Sequence, residues 1–422
     1  MNKQRISALL TGALLSANLT GLGAYPIDGY DYTGIARLDF YDLAQQGVVS
    51  GRQLSSGAKL TLDEIRIHGA DIDLDVATAD AAMSQSLRGF LGKQAAQYGV
   101  ALVDLSDPDA PTYAGFNDEY LANVGSVGKI LVALALYQQL ANRFPDDTAA
   151  REELLKTKQI TADRYIEHDS HKVVFWDVDK RDFVHRPIKL GDTGSLWEYL
   201  DWTLSASSNA AASMVMREAM LMRHFGADYP VSDAVASEFL DKASAEELRT
   251  LLLDSLGEVV QDNGMDTEKL RQGSFFTRYG KNRVGGTNSY GTPKELLKLL
   301  VRMEQGTLVD EFSSQDLKRM LYMTQRRIRY ASHPALEDMA VFFKSGSLYS
   351  CAAEEGFTCG KYMGNKRNQL ASVAIVESPA DAPQALRYMV VVMSNVLKVN
   401  SAVAHQTLAL RVHRMIEERH AE

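Results

Sequence analysis

A serine and a lysine three residues apart are the side chains of this sequence best suited to chemistry. Ser126 and Lys129 open the stretch 123–140, NVGSVGKILVALALYQQL, whose apolar residues recur at helical spacing. Side chains at this separation share one face of a helix, so the lysine amine can reach the serine hydroxyl. A buried lysine with a lowered pKa can take the hydroxyl proton, and the free N–H groups of a first helical turn can stabilise an oxyanion. The stretch therefore predicts a nucleophilic serine with a lysine base.

The same spacing occurs at Ser56 and Lys59, where no long apolar helix follows. One such pair is expected by chance in a chain of this length, and the plain alternative for Ser126 and Lys129 is a helix start with a solvated lysine. A phosphate-binding loop is excluded, because its pattern needs glycine in place of Asn123 and serine or threonine in place of Ile130. Evidence for chemistry must therefore come from other parts of the chain.

Two further short motifs lie on suitable elements. The run 207–209, Ser-Ser-Asn, lies between two predicted helices, and the run 344–346, Lys-Ser-Gly, lies inside the predicted strand AVFFKSGSLY. The plain interpretations are a polar loop that caps the next helix and an edge position whose amine reaches solvent. Gly346 permits a second interpretation, since a missing side chain lets a ligand backbone lie along the strand.

The order of predicted elements indicates how these motifs meet. The prediction has a helix over 83–98, strands over 100–106 and 112–117, the Ser126 helix, a helical middle region, strands over 339–349, 370–378 and 385–395, and a helix over 403–417. This order predicts an α/β (α+β) fold with a mixed, mainly antiparallel sheet, terminal helices packed on it and an inserted all-helical lobe. Motifs at the start of the lobe and on the returning strand would line the crevice between the two parts.

Finer predictions follow from local signals. We expect a strand over 60–67, helices over 148–156 and 244–256, a capping box at Ser195–Glu198, a loop over 283–291, a helix from a Thr292 cap to Gly306, and a helix over 314–324 capped by Ser313.

Composition and charge restrict the class of partner. The chain has 422 residues, 45% hydrophobic and 23% charged, with a net charge of -9. These values are typical of a soluble globular protein and give no basic excess for a nucleic-acid partner. The group Glu167, His168, Asp169 and His171 lacks a second His/Cys pair at matching spacing, so we interpret it as a solvated loop. No metal and no cofactor is predicted.

The first residues resemble a secretory signal. Lys3 and Arg5 precede the apolar run ISALLTGALLSA, and small residues continue to Ala24. This predicts a signal peptide over 1–24, a periplasmic or secreted location, and a mature chain with no transmembrane helix.

Domain boundaries follow from composition. Residues 25–78 are interpreted as an extension that wraps the body, and 79–422 as the catalytic domain with its helical lobe over about 126–295. Cys351 and Cys359 could form one disulfide in an exported protein or remain reduced thiols in the cytosol.

The ordered set S-x-x-K, S-x-N and K-S-G resembles that of the class A-like serine β-lactamase and penicillin-binding protein superfamily. The resemblance covers about residues 83–418 and implies a β-lactamase/transpeptidase-like fold. It implies that Ser126 is the acylated nucleophile, that Lys129 accepts its proton, and that Ser207 relays a proton to the leaving nitrogen. The implied binding residues are Asn209 for the substrate amide, Lys344 and Ser345 with Gly346 for a substrate carboxylate, and the N–H groups of Ser126 and Ser347 for the oxyanion.

Three departures from that family pattern stand out. Ser208 replaces a frequent aspartate, and Ser345 replaces a threonine. The Glu-x-x-Leu-Asn stretch that activates the deacylating water in class A enzymes is absent between Asn209 and Lys344. Acylation is therefore better supported than fast hydrolysis. The candidate carboxylates in that interval, interpreted as solvated helix residues, are Glu246, Glu247 and Glu258. The spacing between motifs also predicts lobe insertions near 145–190 and 225–290.

The resemblance favours an exported serine hydrolase that forms an acyl-enzyme at Ser126 with a small-molecule or peptidoglycan-like amide, including β-lactams, and so bears on antibiotic resistance. A D,D-peptidase of the penicillin-binding type is the first alternative. A binding or scaffold protein that keeps the fold without turnover is the second.

Overall fold

The computed structural model describes residues 23–325, 327–378 and 386–421. The predicted signal peptide over 1–24 lies outside the described residues except for Gly23 and Ala24. The amide of Ala24 donates to the carbonyl of Thr324 at 2.9 Å, so the described chain begins in contact with a distant segment. Within the described ranges, no helix combines the length and apolar character that crossing a bilayer requires.

A five-stranded sheet forms the centre of the molecule. The strands of the described residues are β1 (Tyr98–Asp104), β2 (Thr112–Phe116), β3 (Gln159–Thr161), β4 (Val173–Asp177), β5 (Asp182–Arg186), β6 (Thr193–Ser195), β7 (Leu270–Arg271), β8 (Tyr290–Gly291), β9 (Ala340–Ser350), β10 (Arg367–Ser378) and β11 (Leu386–Asn395). The central order is β2-β1-β11-β10-β9, with antiparallel neighbours throughout. The remaining pairs, β3–β6, β4–β5 and β7–β8, are small antiparallel ribbons.

Helices cover both faces of the sheet and build the lobe. Their bounds are α1 (Gly29–Thr33), α2 (Ala36–Gln45), α3 (Ala81–Leu91), α4 (Lys129–Arg143), α5 (Thr148–Thr157), α6 (Leu196–Leu204), α7 (Asn209–Phe225), α8 (Asp233–Lys242), α9 (Ala245–Asp262), α10 (Arg278–Val284), α11 (Pro293–Glu304), α12 (Glu311–Tyr322) and α13 (Ser401–Arg419). The predicted capping box at Ser195–Glu198 and the Thr292 cap are both present.

Alternation along the strands divides the core in two. On β1, Val100 and Leu102 pack with α3 and α13, whereas Ala101 and Val103 face the larger core that continues into the lobe. Helix α4 is buried on nearly all sides, as expected for an apolar helix at the centre of a lobe. The predicted architecture of sheet, terminal helices and helical lobe is confirmed.

The strand predicted over 60–67 is wrong. Leu60, Leu62 and Ile65 are buried as the alternation suggested, but the chain turns between them. The Glu64 carboxylate accepts from the amide of Thr61 at 2.7 Å, and the amide of Ile65 donates to the carbonyl of Thr61. The Glu64 side chain thus accepts a hydrogen bond from a backbone amide that a neighbouring strand would otherwise bind.

Three further details differ from prediction. Asp310, rather than Ser313, caps α12, because its carboxylate accepts from the amide of Ser313 at 2.8 Å. The interval 145–186, predicted to hold a single helix, also contains the β4–β5 ribbon. The loop predicted over 283–291 includes the end of α10 and strand β8.

The region predicted as an N-terminal extension contacts the lobe closely. The Arg37 guanidinium of α2 forms a buried ion pair with Asp201 of α6, and its Nε lies 2.5 Å from the carboxylate. Asp39 accepts from the indole of Trp176 on β4 at 2.7 Å. These contacts fix α2 against elements that border the cleft described next.

Candidate active site

Ser126 lies on a three-ten turn, Gly125–Gly128, that runs directly into α4. Gly125 adopts a positive φ of 54°, and its amide donates to the Asn123 side chain at 2.8 Å. The helix predicted to start at Ser126 thus begins with a three-ten turn, which is tighter than a turn of α-helix. Lys129 is the first residue of α4 and is fully buried.

Strand β9 packs directly against this turn at Gly346. A Cβ at Gly346 would lie 2.4 Å from the amide nitrogen of Ser126 and from the carbonyl oxygen of Val124. The glycine therefore makes room for the chain's own backbone, which corrects the interpretation that it makes room for a ligand backbone. The same packing brings Ser347 beside Gly125, since a Cβ at Gly125 would lie 3.2 Å from the amide nitrogen of Ser347.

The Lys129 amine is held by neutral groups. Its Nζ lies 3.1 Å from Ser126 Oγ, 2.7 Å from the carbonyl oxygen of Ser207 and 2.7 Å from Asn209 Oδ1. The ring centroid of Phe276 lies 4.6 Å away. Burial lowers the Lys129 pKa to about 7, and the more distant Asp169 charge only partly opposes this. A neutral amine is thus accessible near neutral pH beside the serine hydroxyl.

Ser207 lies between two lysine amines. Lys344 Nζ donates to Ser207 Oγ at 2.8 Å, and Lys129 Nζ lies 3.5 Å from the same oxygen. The backbone of Ser207 has a positive φ of 59°, an uncommon conformation for a residue with a side chain. This strained loop position orients a hydroxyl that can pass a proton between the amines and a group bound at Ser126.

A buried arginine joins the predicted Lys-Ser-Gly motif. Arg329, in the three-ten turn Arg329–Ser332, donates to Ser345 Oγ at 2.7 Å and to Ser347 Oγ at 3.0 Å. Burial lowers the pKa of Lys344 far below its usual range, and the positive charges of Lys129 and Arg329 lower it further. These cations and hydroxyls contact no carboxylate in the part of the chain that the structure describes, so they form a site that fits an anion such as a carboxylate.

Sequence reasoning missed Arg329. It lies in the sequence RRIRYAS, which matches no motif, and Arg326 and Arg327 stand close by. Only the fold shows that Arg329 reaches β9.

The interpretation of 167–171 as a solvated loop is wrong for Asp169. Its side chain is only 4% exposed. One carboxylate oxygen accepts from Ser208 Oγ and from the Ala210 amide, both at 2.9 Å, and the other lies 2.6 Å from His171 Nδ1. Burial favours the protonated acid, but the His171 contacts and the Ala210 amide overcome it and lower the Asp169 pKa to about 2. Asp169 therefore fixes the loop that carries Ser207 and Asn209, and no motif in the sequence signals it.

The cleft around Ser126 has a volume of about 1340 Å³ and contains very few acidic side chains. Among the described residues that line it, Glu337 is the one carboxylate, and Gln272, Phe275 and Phe276 lie on its lobe side. The three carboxylates considered above for deacylation are exposed on α9 and do not line the cleft; they are Glu246, Glu247 and Glu258. Glu258 forms an ion pair with Arg223. Their interpretation as solvated helix residues agrees with this.

The structure thus brings the predicted site residues into one place. Those that line the cleft or contact its lining are Ser126, Lys129, Ser207, Asn209, Lys344, Ser345, Gly346 and Ser347. The two cysteines lie beyond the end of β9, where Cys351 and Cys359 form a disulfide with a Cα–Cα distance of 6.2 Å. Among the described residues, no cluster of acidic, histidine and cysteine side chains is arranged to hold a metal ion.

Comparison with known families identifies one match over most of the chain. The model of the beta-lactamase enzyme family matches residues 82–404. No curated protein sequence matches significantly.

Solved structures share the fold at low sequence identity. The β-lactamase of Sphaerobacter thermophilus is 14% identical, with a TM-score of 0.51 over 79% of this chain and 97% of its own. TLA-3 extended-spectrum β-lactamase is 12% identical, with a TM-score of 0.53 over 80% and 98%. PBP-A is 11% identical, with a TM-score of 0.50 over 81% and 98%.

Proposed function

Since this chain belongs to the β-lactamase enzyme family, within the serine β-lactamase and penicillin-binding protein superfamily, we propose that it forms an acyl-enzyme at Ser126 with a carboxylate-bearing amide. The observation that carries this proposal is the buried Lys129 amine, which lies 3.1 Å from Ser126 Oγ and contacts no carboxylate of the described residues. In an apolar site such an amine is neutral often enough to act as a general base.

Acylation then proceeds with groups already in place. Neutral Lys129 takes the proton of Ser126, whose Oγ attacks the amide carbon. The N–H groups of Ser126 and Ser347 stabilise the oxyanion. As the carbon–nitrogen bond breaks, Ser207 gives its proton to the leaving nitrogen and regains one from protonated Lys129, whose Nζ lies 3.5 Å from its oxygen. The enzyme ends with Ser126 acylated and Lys129 neutral.

The substrate carboxylate binds beside β9. Arg329 and Lys344 supply the positive charge, and Ser345 supplies a hydroxyl that Arg329 already contacts at 2.7 Å. Charge-assisted bonds of this kind orient the substrate as well as hold it. A carboxylate on the leaving side of the amide is common to β-lactams and to peptides with a free C-terminus.

Deacylation is the slower step in this proposal. The Phe276 ring lies 4.6 Å from the Lys129 amine, in a part of the cleft without a carboxylate among its described lining residues. A hydrolytic water there has no acidic side chain to activate it. This favours a penicillin-binding or D,D-peptidase type of acyl hydrolase over a fast β-lactamase. The disulfide at Cys351 supports an oxidising location, the periplasm or the cell exterior.

Intact-mass spectrometry with benzylpenicillin tests the proposal. We expect one adduct with the mass of the whole penicillin, present after minutes of chase, and none on Ser126→Ala. Hydrolysis of a chromogenic cephalosporin should show a burst followed by slow turnover.

Three outcomes separate the alternatives. Rapid turnover without an accumulating adduct would indicate a β-lactamase. Absence of both adduct and turnover would indicate a binding or scaffold protein. An adduct that survives in Ser126→Ala would show that another residue is acylated.

A further inference from the structure

The cleft has the opposite charge from the chain as a whole. The net charge is -9. The described residues that line the cleft include one carboxylate, that of Glu337, and seven lysines and arginines. These cations are Arg52, Lys172, Lys281, Arg327, Arg329, Lys344 and Lys361. A partly enclosed basic surface on an acidic protein concentrates anions.

The cations outside the proposed carboxylate site differ in their contacts. Arg327 donates to backbone carbonyls, including those of Gly57 and Met339. Lys361 lies 5.1 Å from the ring of Tyr362. Lys172 and Lys281 line the cleft, yet neither forms an ion pair with a carboxylate of the described ranges. Their charge is therefore available to a ligand.

Lys172 and Lys281 belong to a group that we term the basic wall: His171, Lys172 and His185 at the β4–β5 ribbon, and Lys281 on α10. Burial lowers the pKa of His185, and the nearby Lys172 charge lowers it further. The positive charge of the basic wall therefore comes from Lys172 and Lys281, which are both exposed and line the cleft.

The region before the family match holds this ribbon in place. Asp39 of α2 accepts from the Trp176 indole at 2.7 Å. The Phe40 ring lies 5.1 Å from that of Trp176 and 4.5 Å from that of Phe183. The ribbon is therefore anchored across both strands, and the basic wall is preorganised rather than carried on an unsupported loop.

A series of contacts places the basic wall away from Arg329 and Lys344. Lys344 donates to Ser207, and the following loop continues through Asn209 to the Ala210 amide. That amide donates to Asp169, which in turn contacts His171. The ribbon part of the basic wall thus lies next to the Asn209–Ala210 end of this loop, whereas Lys344 contacts its Ser207 end.

We infer that the basic wall is a second anion subsite, and that the substrate carries an additional carboxylate or similar anionic group remote from the scissile amide. This inference rests on the proposed function for the identity of the reacting amide. It specifies the substrate class further: a dianion with one charge bound by Arg329 and Lys344 and the other by the basic wall.

Two penicillins that differ by one side-chain carboxylate provide the test. Benzylpenicillin lacks this group and carbenicillin has it. Calorimetry on Ser126→Ala measures non-covalent Kd values, and stopped-flow acylation of the wild type measures the rates. We expect carbenicillin to bind Ser126→Ala about fivefold more tightly, the scale of one or two partly exposed charge pairs.

Variants of the wall provide the control. Adding Lys172→Gln and Lys281→Gln to Ser126→Ala should bring the Kd ratio of the two penicillins close to one. Lys180→Gln should keep the ratio, because Lys180 lies on the same ribbon connection, pairs with Asp177 and does not line the cleft.

The outcomes are separable. Equal Kd values on Ser126→Ala, no carbenicillin binding at millimolar concentration, or a ratio that survives the wall variants would overturn the subsite. Failure of wild-type protein to be acylated by either penicillin would refute the proposed function instead, and the Kd ratio on Ser126→Ala would still decide the subsite.

Discussion

Two buried lysines in this molecule have opposite surroundings. Lys318 is fully buried, and its Nζ lies 2.6 Å from carboxylate oxygens of both Glu304 and Glu377. Lys129 is equally buried, but it contacts a hydroxyl, a carbonyl and an amide oxygen. The first lysine joins α12 to α11 and β10, whereas the second lies beside the proposed nucleophile.

The difference shows how one residue type serves structure or chemistry. Two carboxylates offset the cost of burying the Lys318 amine. Neutral partners leave the desolvation of Lys129 uncompensated, so its pKa falls to about 7. A buried lysine without a carboxylate contact is costly for stability and useful for proton transfer. Burial also lowers the pKa of Lys344 and of Arg329, whose proposed role is to bind the substrate carboxylate.

Replacing Lys129 should give the largest effect on activity. Lys129→Met removes the base, so we expect acylation by benzylpenicillin to fall by about 10²–10⁴-fold. The folded protein should keep or gain stability, because the desolvated amine is removed. Stopped-flow acylation and thermal unfolding measure the two. Acylation at the wild-type rate would contradict the assignment of Lys129 as base.

Replacing Lys318 should lower the stability of the protein and leave acylation nearly unchanged. Lys318→Met removes the buried amine that Glu304 and Glu377 both contact, which should lower the free energy of unfolding by roughly 3–5 kcal/mol. Denaturant titration measures this, and acylation per folded molecule should stay within about twofold. The matched control adds Glu304→Gln and Glu377→Gln and should recover part of the loss. Full stability of Lys318→Met alone would disprove the structural role.

The pH dependence of acylation should report Lys129 directly. Because burial lowers its pKa to about 7, the neutral amine predominates above that pH and falls about tenfold for each unit below it. The acylation rate should therefore drop roughly 50-fold from pH 7 to pH 5 and level off at higher pH. Rates that stay constant from pH 5 to pH 9 would exclude this base.

A smaller effect should come from Asp169, which we expect to act as a positioning residue. Asp169→Asn weakens its contacts to Ser208 and Ala210 and removes a negative charge that raises the Lys129 pKa. We expect a loss of about threefold to tenfold in acylation, with the pH profile shifted to lower pH. A rate loss without this shift would indicate a purely structural role. Lys180→Gln, remote from the cleft, is the control.

The chemistry of the first helical turn and the order of elements were predictable from the sequence. Ser126 and Lys129 are three residues apart, and that short-range geometry holds in any helical conformation. Strands β9, β10 and β11 contain short, nearly continuous apolar runs, which are typical of strands buried on both faces. The capping box at Ser195 is equally local, because its partners are three residues apart.

Contacts between distant segments were decided by the tertiary structure. Arg329 and Asp169 lie in sequences without a motif, and their roles depend on which strand or loop packs against them. The strand predicted over 60–67 failed for a related reason: alternation fixes which side chains are buried, and backbone partners decide whether a strand forms. The sequence alone therefore determined a serine beside a lysine on one turn. Folding determined that this lysine is buried among neutral groups, because desolvation and charge depend on what surrounds a group in space.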